Sequence, residues 1–176
     1  MKYSENEHQK EQAILKARAE ELARKTPKTG KDKDCEIVSF RLLSKAYAFE
    51  AMYVEGIIHI ENYAPLPFTP SFILGIISVR GKIISLVSIR ELLGLTGKSN
   101  IQEGSVIILK SETMKFGVIA DSVLGFEKIK YNDVCSVPEG FKKSEESYMK
   151  AITKDQVVLL DAKRMLSDKR MIVGKR

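Results

Sequence analysis

This sequence predicts a mainly β fold of compact barrels or sandwiches, and three observations carry that prediction. From residue 36 to 160 the apolar side chains recur at every second position or in short continuous runs, not at helical spacing. Turn-forming residues interrupt these runs often, and few stretches between them suit a helix, which argues against an alternating βαβ sheet. At 176 residues and 44% hydrophobic, the chain is long enough for one real core, or for two small barrels that share one.

The first 34 residues read differently. Ser4 and Glu7 have capping-box spacing, and Glu20–Arg24 and Glu21–Lys25 are favourable i,i+4 pairs. A thin apolar stripe of Leu15, Ala19 and Leu22, with Ile14 beside it, predicts a helix that docks weakly rather than one that builds a core. TPKTGKDKD (26–34) has the composition of a solvated linker, so the folded domain is expected from Cys35.

EIVSFRLL (36–43) then alternates as a half-buried strand, and AYAFEA (46–51) pairs with it in a hairpin about Ser44-Lys45. MYVEGIIHI is rich in β-branched residues, whereas Pro65, Pro67 and Pro70 make the following stretch a connection and not a central strand. Phe72–Val79 and Lys82–Val87 are apolar strands joined by a tight Arg80-Gly81 turn, and their continuous hydrophobicity suggests cover on both faces. Ile89, Leu92 and Leu93, followed by Gly94, mark a short helix with a glycine stop. Strands are expected at 105–110, 115–120, 134–138 and 156–160, a turn at Asp121–Gly125, and a short helix in AKRMLS after Asp161.

Chemistry is mostly excluded. The chain has no dinucleotide, phosphate-loop, serine-hydrolase or zinc-protease signature. With two histidines and two widely separated cysteines, Cys35 and Cys135, a metal centre is not expected, and neither is a cofactor or a catalytic residue. His59 reads as a partly buried strand residue and Asp121 as a turn-former. No run of about 20 apolar residues and no signal-peptide core is present, so a cytoplasmic protein without membrane insertion is expected. The net charge of +6 lies in the ends: residues 1–34 carry +2, residues 162–176 carry +5, and the stretch between carries −1. A nucleic-acid binder would hold its basic stripe on the folded domain, so nucleic acid is not an expected partner.

Arg80 is the one feature the core pattern does not absorb. Its side chain is either a solvent-facing turn residue whose stem covers apolar neighbours, or a guanidinium presented on a rigid frame to a partner's carboxylate or carbonyl.

VSFRLLSKAYAFEAMYVEGI, PSFILGIISVRGKIISLVSIRELLGL, FGVIADSVLG and AITKDQVVLLDAKRML, in that order, resemble the CheW family of chemotaxis coupling proteins. Its central pattern P-x-F-x-x-G-V-x-N-L-R-G-x-x-x-P-V-x-D-L-R is matched at many fixed spacings, and the likeness covers about residues 35–168. The resemblance implies two small SH3-like β-barrels packed together. It divides the chain into a charged N-terminal helix and linker (1–34), a CheW-like domain (35–168) and a basic C-terminal tail (169–176). It also implies a non-enzymatic adaptor whose partners are the cytoplasmic tips of methyl-accepting chemoreceptors and the regulatory domain of the histidine kinase CheA. The expected partner-binding residues are Arg80 and Gly81, which match the family's Arg-Gly, Gly75 ahead of them, and Val54 in the segment near the receptor-facing groove. The chain departs from the pattern at Ser78 (asparagine), Ser85 (proline), Ser88 (aspartate) and Gly56 (often glutamate). A CheW-like adaptor of a different kinase pathway, or a small-molecule-binding barrel, stays open beside this reading.

Overall fold

A computed structural model describes residues 34–60, 62–96, 104–137 and 147–171. The predicted N-terminal helix and nearly all of its linker lie outside the described residues. In chain order come β1 (Asp34–Leu42), β2 (Lys45–Glu50), a 3-10 turn, β3 (Val54–His59), β4 (Ile73–Val79), β5 (Lys82–Ser88) and α1 (Ile89–Leu93). There follow β6 (Ser105–Lys110), β7 (Lys115–Ala120), β8 (Ser122–Lys130), β9 (Val134–Cys135), β10 (Met149–Thr153), β11 (Val158–Leu160) and α2 (Ala162–Ser167), with 3-10 turns at Tyr131–Asp133 and Lys169–Met171.

The strands form two sheets, one in the order β8-β1-β2-β11-β10-β9 and the other β3-β6-β7-β5-β4. Most neighbours are antiparallel, but β11 joins β2 and β5 joins β7 in parallel. The period-2 pattern sends alternate residues of the central strands into different cores. From β7, Phe116, Val118 and Ala120 enter a large cluster that also takes Phe40, Tyr47 and Phe49 from the first sheet, while Ile119 faces a second cluster with Leu86 and Val106. From β11, Val158 and Leu160 join the large cluster, and Leu159 turns the other way to meet Ile37, Ala48 and Ala151. Each sheet therefore has an interior of its own and shares a third with its neighbour. That is why the central strands read as continuous apolar runs.

Phe40 anchors the shared core, stacked on Phe49 at 5.1 Å and Tyr47 at 6.2 Å between ring centroids. The two short helices close the same core with Ile89, Leu92 and Leu93 from α1 and Ala162, Met165 and Leu166 from α2. α1 stops where predicted, at Gly94 in the left-handed conformation. The first hairpin turns at Leu43-Ser44, one residue earlier than expected, and Lys45 already pairs with Leu42. Asp121 holds this turn: its Oδ2 accepts the Leu43 N–H at 2.6 Å.

One expectation fails for an identifiable reason, and one strand was not foreseen. Asp121–Gly125 is not a turn: β8 starts at Ser122, and Gly125, at φ +139, sits at a bulge opposite Ser39/Phe40 while the strand continues. β10 is not marked in the sequence, because its five residues include a charged Lys150 and pair with a β11 of only three.

Residues 169–171, assigned to the tail on sequence, turn back and bury Met171. The Asp168 carboxylate holds them there. It accepts the Arg170 backbone N–H at 2.9 Å, the Arg170 guanidinium at 2.8 Å and the Tyr148 hydroxyl, and Arg170 lies 5.9 Å from the Tyr148 ring centroid. The Arg170 hydrogen bonds bring the Asp168 carboxyl down to about 2 from 3.8. A carboxyl depressed in the folded state adds stability above its unfolded value and loses it as pH falls through the folded one. The stability gap between wild type and Asp168→Asn is therefore expected to be constant near neutrality and to narrow as pH drops from about 4 toward 2. Urea unfolding at stepped pH checks this, and a gap unchanged at the acid end would refute the linkage.

Candidate partner-binding surface

Arg80 and Gly81 form the two-residue turn between β4 and β5, with Val79 paired to Lys82 beneath them. A two-residue hairpin loop of type I′ needs positive φ at both central positions. Gly81 meets this at φ 75 without cost, but Arg80 also adopts φ 50, where an L side chain is strained by about 1–2 kcal/mol. Leu43, Phe68 and Gln156 share a positive φ, so strain alone does not single Arg80 out. Its surroundings do.

Arg80 is exposed and stands at the rim of a hollow of about 170 Å³. The wall opposite is β3, through Glu55, Gly56, Ile57 and Ile58, and apolar side chains of Val79 and Ile108 contribute to the lining. Lys82 and Lys115 also line it. Lys115 Nζ lies 2.8 Å from Glu55 Oε2, and Lys110 Nζ is 4.0 Å from the same oxygen. The Lys115 hydrogen bond, with Lys110 and Lys82 behind it, holds the exposed Glu55 carboxyl below its usual range. Three lysines thus surround one carboxylate, and among the described residues Arg80 has no ion-pair partner.

The expected site residues do not all meet here. Val54 opens β3, half-buried against the shared core, and does not itself line the hollow, whose wall is formed by the four residues after it. Gly75 lies at the other end of β4, buried beneath the proline-spaced connection. Ala64 and Ile76 exchange backbone hydrogen bonds of 2.9 and 2.8 Å, and a Cβ on Gly75 would sit 2.1 Å from the Ala64 carbonyl oxygen. Its glycine serves close backbone approach.

The departures from the family pattern fall in distinct places. Ser88 is buried and caps α1, accepting the Glu91 N–H at 3.3 Å, a task aspartate performs equally well. A Cβ on Gly56 would meet nothing within 4 Å, so the residue is not sterically required. Its neighbour Glu55 supplies the carboxylate at that rim.

Glu55, Lys82, Lys110 and Lys115 were not singled out in the sequence. Lys82 adjoins Gly81, but Glu55 and Lys115 are 60 positions apart and only the β3-β6-β7 pairing brings them together. His59, expected partly buried, is exposed at the end of β3. No group of three or more His, Cys, Asp or Glu able to hold a metal occurs among the described residues. Cys35, half-buried, has its thiol pushed up by desolvation and by Glu50, which makes it a poor nucleophile. No helix among the described residues is long and apolar enough to cross a membrane.

Comparison with known proteins agrees with the fold. The model of the CheW-like domain matches residues 36–170. A chemotaxis protein CheW of Thermotoga maritima is 27% identical over 138 residues, spanning 77% of this chain and 90% of that protein. One of Treponema pallidum is 23% identical over 156 residues, spanning 84% and 91%. Among solved structures, the scaffolding protein TtCheW from Thermoanaerobacter tengcongensis superposes with a TM-score of 0.66 at 24% identity, covering 73% of this chain and 89% of that one, and shares its fold. With the matched domain covering most of the chain, the protein belongs to the CheW-like family of chemotaxis coupling proteins.

Proposed function

We propose that this protein is a non-enzymatic cytoplasmic adaptor that couples the cytoplasmic tips of methyl-accepting chemoreceptors to the regulatory domain of the histidine kinase CheA. The observation that supports it is Arg80: a strained, exposed guanidinium without an internal ion-pair partner, fixed at the tip of a hairpin whose strands are anchored in the core. A rigid frame keeps most of the ordering cost out of the binding step, and a planar guanidinium pairs two-pronged with a carboxylate. Arg80, Gly81 and the β3 wall that follows Val54 form the contact face, and Gly75 keeps β4 in place behind it. An adaptor of this kind works by holding two partners at once, so that receptor state biases kinase conformation through contacts that differ between states.

Co-purification of the tagged, full-length protein from its native cell tests the proposal. Recovery of chemoreceptors together with CheA is expected. Recovery of another histidine kinase in place of CheA would assign the adaptor to a different pathway, and recovery of neither partner would overturn the coupling role.

A further inference from the structure

Among the described residues, the second sheet does not close on itself through hydrogen bonds. Its outermost strands are β3 and β4, and the hollow beside Arg80 lies between β3 and the end of β4. Along β3, every second residue turns its N–H and C=O away from β6, the single strand β3 pairs with among the described residues. Along β4, Ile76 gives its outward N–H and C=O to Ala64. The next residue facing the same way is Ser78, two positions on, which is exposed and lies beyond the Ala64 bridge. Two short lengths of unpaired backbone therefore flank a hollow with an apolar lining and a basic rim.

We infer that this seam takes an extended acidic segment of a protein partner, added as a strand to the β3 edge. Main-chain hydrogen bonds supply the attachment, and alternate side chains are read by pocket and rim. One apolar side chain of the segment enters the hollow against Ile58, Val79 and Ile108, while carboxylates flanking it meet Arg80, Lys82 and Lys115. Charge selects the class of occupant: Arg80, Lys82 and Lys115 line the hollow with only Glu55 in return, Lys110 stands beside Glu55, and Glu55 is already hydrogen-bonded to Lys115 at 2.9 Å. A basic or neutral strand would find no partner for Arg80. This inference rests on the Arg80 face being the partner-facing one, and adds the form and charge of what it receives.

The probe is a fluorescein-labelled eight-residue peptide of alternating valine and glutamate, measured by anisotropy on the full-length protein. A second peptide has the same side chains with alternate backbone nitrogens methylated, and a third carries lysine in place of glutamate. The first is expected to bind, with amide shift changes confined to β3, Ser78 and the Arg80 hairpin, while the methylated and lysine peptides bind at least tenfold more weakly. Arg80→Glu and Lys115→Glu are each expected to weaken the first peptide at least tenfold, and Lys163→Glu, on α2, to leave it unchanged. Absence of binding, shifts elsewhere, or equal binding of the methylated peptide would overturn strand addition. If receptor or kinase capture still depends on Arg80 while the peptide fails, this inference falls and the coupling role stands.

Discussion

Arg80→Glu is expected to leave the fold intact and to reduce capture of the partner at this face at least tenfold, a loss of about 1.4 kcal/mol or more. The side chain is exposed and has no internal ion-pair partner among the described residues, so replacing it breaks nothing within the chain. Surface changes of this kind shift stability by about 0.5 kcal/mol or less. At the interface the effect is of a different order, because the variant not only lacks a charge-assisted pair but sets a carboxylate against the partner's own. Thermal unfolding and quantitative pull-down on the same preparation separate the two. Wild-type capture by a well-folded variant would remove Arg80 from the contact face.

Gly75→Ala is expected to act in the opposite manner, costing about 2–4 kcal/mol of stability through backbone strain and overpacking together. At φ +153 an L side chain is strained, and its Cβ would overlap the Ala64 carbonyl oxygen at 2.1 Å, a backbone atom that cannot swing aside. Relief requires the connection through Pro65 to lift from β4, with loss of both Ala64–Ile76 hydrogen bonds. Gly81→Ala is the control: it carries a positive φ of 75 but its Cβ would meet nothing within 4 Å, so only the turn conformation is penalised, by about 1 kcal/mol. Denaturant unfolding of the pair should rank Gly75→Ala well below Gly81→Ala. A stable Gly75→Ala that fails only to bind would instead give Gly75 a direct place in the interface.

These contrasts follow the line between what the sequence makes legible and what it does not. The β4-Arg80-Gly81-β5 hairpin was readable because two apolar runs and a two-residue turn are local signals, and β6, β7 and α2 fell where their patterns begin and end. β10 and the course of β8 were not. β10 carries an unpatterned charged residue, and β8 passes through a Gly125 that marks a bulge and not a turn. Residue types also did not distinguish Arg80 from Gly75, which the family pattern places together; only the approach of Ala64, eleven residues upstream, shows that one is at a rim and the other beneath a strap. The basic rim was hidden for the same reason, since Glu55, Lys82 and Lys115 come from three strands whose order no linear pattern gives.

The central claim is that Arg80 is kept for its partner and not for its turn, and Arg80→Asn tests it most directly. Asparagine tolerates positive φ better than arginine does, so it relieves the strain at φ 50 while removing the guanidinium. Unfolding free energy and partner capture, measured on one sample, should move in opposite directions: stability unchanged or higher by up to about 1 kcal/mol, and capture at least tenfold weaker. A variant that captures its partners as well as wild type, or one that loses stability and capture together, would show Arg80 to be a turn residue after all.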